Sequence, residues 1–68
     1  MLVELFITMR DGSMHTMYAL SDMVKITLRL FPGWSDCEVY TAQEPVELAQ
    51  FPNMAWMPLR RLHNCVVQ

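Results

Sequence analysis

Glycine occurs only twice in this chain of 68 residues, at Gly12 and Gly33. Both sit where turns are expected, so no glycine-rich loop exists to cradle a phosphate. Cysteine also occurs only twice, at Cys37 and Cys65, with no C-x-x-C pair. Structural zinc sites draw on closely spaced ligand pairs; His63-x-Cys65 is too tight, and His15 and Cys37 are distant single residues. Two cysteines also fall short of a disulfide-dense scaffold, so free thiols in a reducing compartment are expected. A Cys37–Cys65 bridge is the alternative for a secreted chain. Positive charge is scarce: five Lys+Arg stand against seven Asp+Glu, for a net charge of −2. Arg60-Arg61 is the only basic pair, too little to neutralise several phosphates of a nucleic acid. No apolar run reaches the roughly 18 residues of a membrane span. The first residues enter an alternating pattern without a basic segment, so no signal peptide is expected and a cytoplasmic setting is the default.

What the chain does have is apolar material. Hydrophobic residues make up 53% and charged residues 18%, against about 25% charged in average soluble chains. A domain this small buries only about 60% of the surface it exposes when unfolded. Some apolar surface should therefore remain outside as a patch, and such patches mark protein contacts. The plain alternative is a well-filled core with scattered exposed apolar residues. Seven methionines suit adaptable packing or a pliable contact surface.

The strongest local signal is Asp11-Gly12, which lies between two alternating runs, Leu2–Met9 and Met14–Leu20. A two-residue Asp-Gly loop with a type I′ turn predicts a β-hairpin. That register sets Met9 opposite Met14, Ile7 opposite Thr16, Leu5 opposite Tyr18 and Val3 opposite Leu20, on the core face. Phe6 and Met17 then meet on the other face, where a solvated surface would carry a polar pair.

Ser21-Asp22 reads as a helix start, with Ser21 as N-cap, and Pro32-Gly33 as its stop. A helix over Ser21–Phe31 is predicted, although Val24, Ile26, Leu28 and Leu30 also alternate as a strand would. A third strand is expected at Cys37–Ala42, a short helix from Pro45 to Gln50, and a short fourth strand at Met54–Met57 that Pro58 ends or confines to an edge. Leu59–His63 is ambiguous, and Cys65–Val67 fits a last edge strand. The predicted fold class is α+β: a single small ββα domain over residues 1–68, with a mainly antiparallel sheet of three to five strands packed on one helix.

No constellation points to catalysis. Cys37 or Cys65 with His15 or His63 is the only conceivable nucleophile pair, and no nucleophile motif surrounds either cysteine. The carboxylates are spread over strand, turn and loop. Met9, Met14, His15 and Met17 are soft-metal ligand types. The predicted hairpin puts Met9 and Met14 on one side and His15 and Met17 on the other, so they cannot share an ion. No enzyme activity, cofactor or metal is expected. Trp34, Tyr40 and Trp56 could stack on bases, but lack surrounding basic residues.

Trp, Tyr, Met and Arg are enriched at protein interfaces. The candidate contact residues are therefore Phe6 and Met17 on the far sheet face, Trp34 on its loop, and Trp56 with Arg60 and Arg61. The bland reading of both tryptophans is closure of a small core. Over its whole length, and through no diagnostic residue, the profile resembles small proteins encoded by phages and other mobile elements. These are single α/β domains, mildly acidic and free of catalytic motifs, that occlude or sequester a host protein; inhibitors of CRISPR complexes are one group. The resemblance implies an inhibitor or regulator of a larger protein complex, cytoplasmic in the host cell, and carries no site across. The expected partner is another protein, with a homodimer as a further expectation and edge-strand pairing as a second route to association. The alternatives are a small nucleic-acid-associated regulator and a structural subunit of a homo-oligomer.

Overall fold

A computed structural model describes residues 1–42 and 55–65. It is an α+β arrangement in which one short helix covers one face of a four-stranded antiparallel sheet. The strands are β1 (Leu2–Met9), β2 (Met14–Leu20), β3 (Trp34–Ala42) and β4 (Trp56–His63), in the spatial order β2-β1-β3-β4. The helix α1 (Val24–Leu28) lies between β2 and β3 in sequence. The core takes Val3, Leu5 and Ile7 from the central strand β1, Val24 and Leu28 from α1, and Cys37 and Val39 from β3.

The hairpin forms as expected, but its turn and register differ. Met9 N–H donates to Ser13 C=O at 2.8 Å and Gly12 N–H to Met9 C=O at 3.0 Å, so the loop holds three residues, Arg10, Asp11 and Gly12. A type I′ turn needs positive φ at both central residues. Here Gly12 has φ +90°, and among the described residues no non-glycine has positive φ. Asp11 instead stays on the ordinary side of φ and ties down the loop. Its Oδ1 accepts from Ser13 N–H at 2.9 Å and from Ser13 Oγ–H at 2.6 Å. These bonds hold the Asp11 carboxyl below the usual carboxylate range.

One extra loop residue shifts β2 by one position, and a one-residue slip turns every side chain to the other face. Leu5 therefore faces Met17, Ile7 faces His15 and Val3 faces Ala19. This corrects the predicted pairs. Met17 and Ala19 pack against the core, while Met14, Thr16, Tyr18 and Leu20 turn to the face opposite the helix. The predicted partnership of Phe6 with Met17 does not form, because Phe6 is opposite Thr16. The separation inferred for the soft-metal ligands changes as well. His15 and Met17 remain on one face, but that face is now the helix side.

The segment after β2 is helical, which resolves its ambiguous pattern. It is shorter than predicted: a 3-10 turn at Ser21–Met23 leads into α1, and i→i−3 bonds from Arg29, Leu30 and Phe31 complete the last turn. Ser21 makes no side-chain cap. Thr27 Oγ1 instead donates back to Met23 C=O at 2.8 Å. Gly33, at φ +89°, turns the chain into β3, and its carbonyl accepts from Arg10 N–H at 2.9 Å.

Strand β3 starts at Trp34, three residues before the predicted Cys37. Trp34 is therefore a strand residue rather than a loop residue, and it packs against the core. Strand β4 runs through Pro58 and takes in the ambiguous Leu59–His63 segment. Its register shifts between Val39 and Tyr40, which lets Pro58 sit on this edge strand. The predicted helix at Pro45–Gln50 lies outside the described residues, as does the start of the predicted fourth strand at Met54. Cys65 is described and is not in a strand, and the rest of the predicted Cys65–Val67 strand lies outside the described residues. Both cysteines are free, Cys37 buried and Cys65 exposed.

Candidate functional site

The six candidate contact residues divide between the two faces of the sheet. Met17 and Trp34 pack on the helix side, and Arg60 joins that side through its register with Val39. Phe6, Trp56 and Arg61 lie on the opposite face, by their register with Glu38, Ala42 and Glu38 respectively. Arg60 and Arg61 are neighbours in sequence and point apart, as successive strand residues must.

The face opposite the helix is an aromatic and acidic surface. Phe6 meets Tyr40 edge to face, with ring centroids 5.3 Å apart and planes at 87°. Tyr18 lies 5.6 Å from Trp56. The Tyr40 hydroxyl donates to Glu38 Oε2 at 2.7 Å, which raises the Tyr40 pKa. A hydrogen bond with the Glu4 carboxylate raises that of Tyr18 in the same way. Glu4 itself is buried in the middle of the sheet, between Tyr18 and Tyr40 in register.

Asp36 anchors the β4 side of this face. Arg61 Nε reaches its two carboxylate oxygens at 3.1 and 2.9 Å, Arg61 Nη2 reaches Oδ2 at 2.8 Å, and His63 Nδ1 reaches Oδ1 at 2.8 Å. The hydrogen bond from Arg61 holds the Asp36 carboxyl below its usual range, and Asp36 in turn raises the Arg61 pKa. This forked geometry is the strong form of a carboxylate contact. It ties β4 to β3 and commits Asp36 to structure. Cys37 faces the core, where burial, aided by the nearby Asp36 charge, pushes its thiol up to about 11. Such a thiol is a poor nucleophile at neutral pH.

On the helix side, Lys25 and Arg29 lie on one flank of the helical segment, and Asp22 stands in the 3-10 turn before α1. Lys25 and Arg29 line a cleft of about 360 Å³ with Trp34, Leu62 and His63, so this flank is turned toward β3 and β4. Met23 of the 3-10 turn, Ile26 of α1 and Leu30 of the turn that follows are spaced three and four residues apart. Of the strands, β2 is the one that α1 approaches most. These three side chains are 40%, 53% and 72% exposed, although Val24 and Leu28 of the same helix are nearly inaccessible.

Among the described residues no group of His, Cys, Asp and Glu is arranged to hold a metal ion, and no helix is long and apolar enough to cross a membrane. No family model, curated protein or solved structure matches this chain.

Proposed function

We propose that this chain is a non-catalytic protein-binding module whose contact surface is the β2-side flank of the molecule. In this reading it inhibits or regulates a larger protein complex by covering a surface, the role that its phage-type profile implies. One observation supports it above others: Met23, Ile26 and Leu30, three large apolar side chains within the helical segment that begins at Ser21, stand exposed. A surface helix ordinarily gives its outer face to polar residues. A contiguous apolar flank left in water is the usual mark of a protein contact.

The test is an Ile26→Lys/Leu30→Lys double variant, with both sites already exposed so that the fold is retained. Affinity capture from the native cell or its host, followed by mass spectrometry, is run beside sedimentation of the pure protein. The reading expects the double variant to lose an association that the wild-type chain makes. Identical behaviour of the two proteins in both measurements overturns it.

A further inference from the structure

Charge is sorted between the two sides of the sheet. Glu4, Asp36 and Glu38 alternate along their strands with Val3, Leu5, Cys37 and Val39 of the core, so they lie on the face opposite the helix. The strand β4 and helix α1 charges on the other side are positive. Arg60 lies beside Val39 in register, and Lys25 and Arg29 stand on the flank of α1 that is turned toward β3 and β4. Asp22, in the 3-10 turn, is the acidic neighbour of this flank, and it makes no ion pair with Lys25 or Arg29.

Lys25 and Arg29 carry like charges at i and i+4, a pairing that weakens a helix when nothing offsets it. Both are exposed, and among the described residues neither side chain makes a hydrogen bond or an ion pair. Arg61 shows the contrast, because its guanidinium is committed to Asp36 on the opposite face.

The cleft beside these two cations has a volume of about 360 Å³. That lies in the lower part of the range for small-molecule sites, about 300–1,000 Å³. Leu28, Trp34 and Leu62 give it apolar walls. His63 borders it, while its Nδ1 holds Asp36 at 2.8 Å. Trp34 is partly exposed; among the described residues its ring pairs with no other aromatic ring and its indole N–H with no acceptor. Such sites bind by an apolar body held in place by a few convergent polar groups.

We propose that this cleft binds a small aromatic carboxylate, with the anionic group between Lys25 and Arg29 and the ring among Leu28, Trp34 and Leu62. The sign of the ligand follows from the two unpaired cations, whose mutual repulsion an anion relieves and a cation would increase. A carboxylate matches the forked donors of a guanidinium. No glycine lines the cleft to bring backbone N–H groups to a polyphosphate. A planar body also presents a π-face to the Trp34 indole, a contact that an alkyl chain lacks. The site uses none of Met23, Ile26 and Leu30, so it goes beyond the protein-binding reading and stands or falls apart from it.

Titration of the full chain with indole-3-acetate tests the proposal, read by NMR at the Trp34 indole N–H and the Leu28 and Leu62 methyl groups. All three signals should shift together and saturate, with a dissociation constant below about 1 mM. Indole-3-acetamide, which has the same ring without the charge, should bind at least about tenfold more weakly. Lys25→Gln/Arg29→Gln should retain the circular dichroism spectrum and weaken indole-3-acetate about tenfold or more. Arg10→Gln, at an exposed cation outside the cleft, should bind as wild type does. No saturable shift at the three groups up to about 10 mM indole-3-acetate overturns the proposal. So does equal binding of the amide, or a folded double variant that binds like wild type. If the double variant loses its fold, the two single variants decide: each should weaken binding about threefold, and wild-type affinity in both overturns the site.

Discussion

Leu5 faces Met17 across the first two strands, and Val39 flanks Leu5 on its other side. This row crosses the centre of the sheet under α1. It exists because the Asp11-Gly12 loop holds three residues, and that loop decides which side chains of β2 pack under α1 and which turn to the opposite face.

Met17→Ser should destabilise the protein by about 1–2 kcal/mol, since it removes a half-buried side chain packed against the core. Met14→Ser, on the exposed outer position, should stay within about 0.5 kcal/mol. Urea unfolding of the two variants checks the pair at low protein concentration. Equal costs would contradict the observed register.

Gly12→Ala should cost about 1–2 kcal/mol, the penalty of a side chain at positive φ. The same holds for Gly33, where an added Cβ would stand 4.0 Å from Met9 Cε and meet no steric obstacle. The penalty at both sites is conformational. Asn, which tolerates positive φ better, should recover part of it in thermal melts.

Stability should fall in acid through Asp36. Its carboxyl is lowered in the folded protein, chiefly by the hydrogen bond from Arg61. A lowered carboxylate contributes stability that is fully present above its unfolded value, near the ordinary 3.8, and lost as pH falls through the folded value. The melting temperature of wild type should therefore drop below about pH 4. Asp36→Asn should melt lower at neutral pH and lose that part of the acid dependence. An unchanged acid limb in Asp36→Asn would show that Asp36 does not set the acid stability.

The two thiols should differ widely in reactivity. Exposed Cys65 should react with a thiol reagent at once. Cys37, buried and raised to about 11, should react at least about a hundredfold more slowly, at a rate set by opening of the sheet. Mass spectrometry of the labelled sites at neutral pH reads both rates.

Much of the first half was legible in the sequence. The alternation of Val3, Leu5 and Ile7 named the core face of β1, and Pro32-Gly33 marked the end of the helix. The register of β2 was not legible, because Asp-Gly serves both a two-residue and a three-residue loop. The choice between them lies in Asp11's bonds to Ser13, which no apolar pattern records. The extent of β4 was hidden by Pro58, whose presence inside a strand depends on the neighbouring break in register. Of the candidate contacts, Phe6, Trp56 and Arg61 share a face, while Met17 was misplaced by the same one-residue slip.

In the proposed function, another polypeptide sits on the β2-side flank of the molecule. Methyl NMR with a soluble paramagnetic probe tests it most directly, in a concentration series of pure protein and in native cell extract. The methyl groups of Met23, Ile26 and Leu30 should lose access to the probe as the partner is supplied, while those of Met57 and Leu59 on the edge strand β4 keep theirs. Equal and unchanged access at all five residues, at every concentration and in extract, would contradict it.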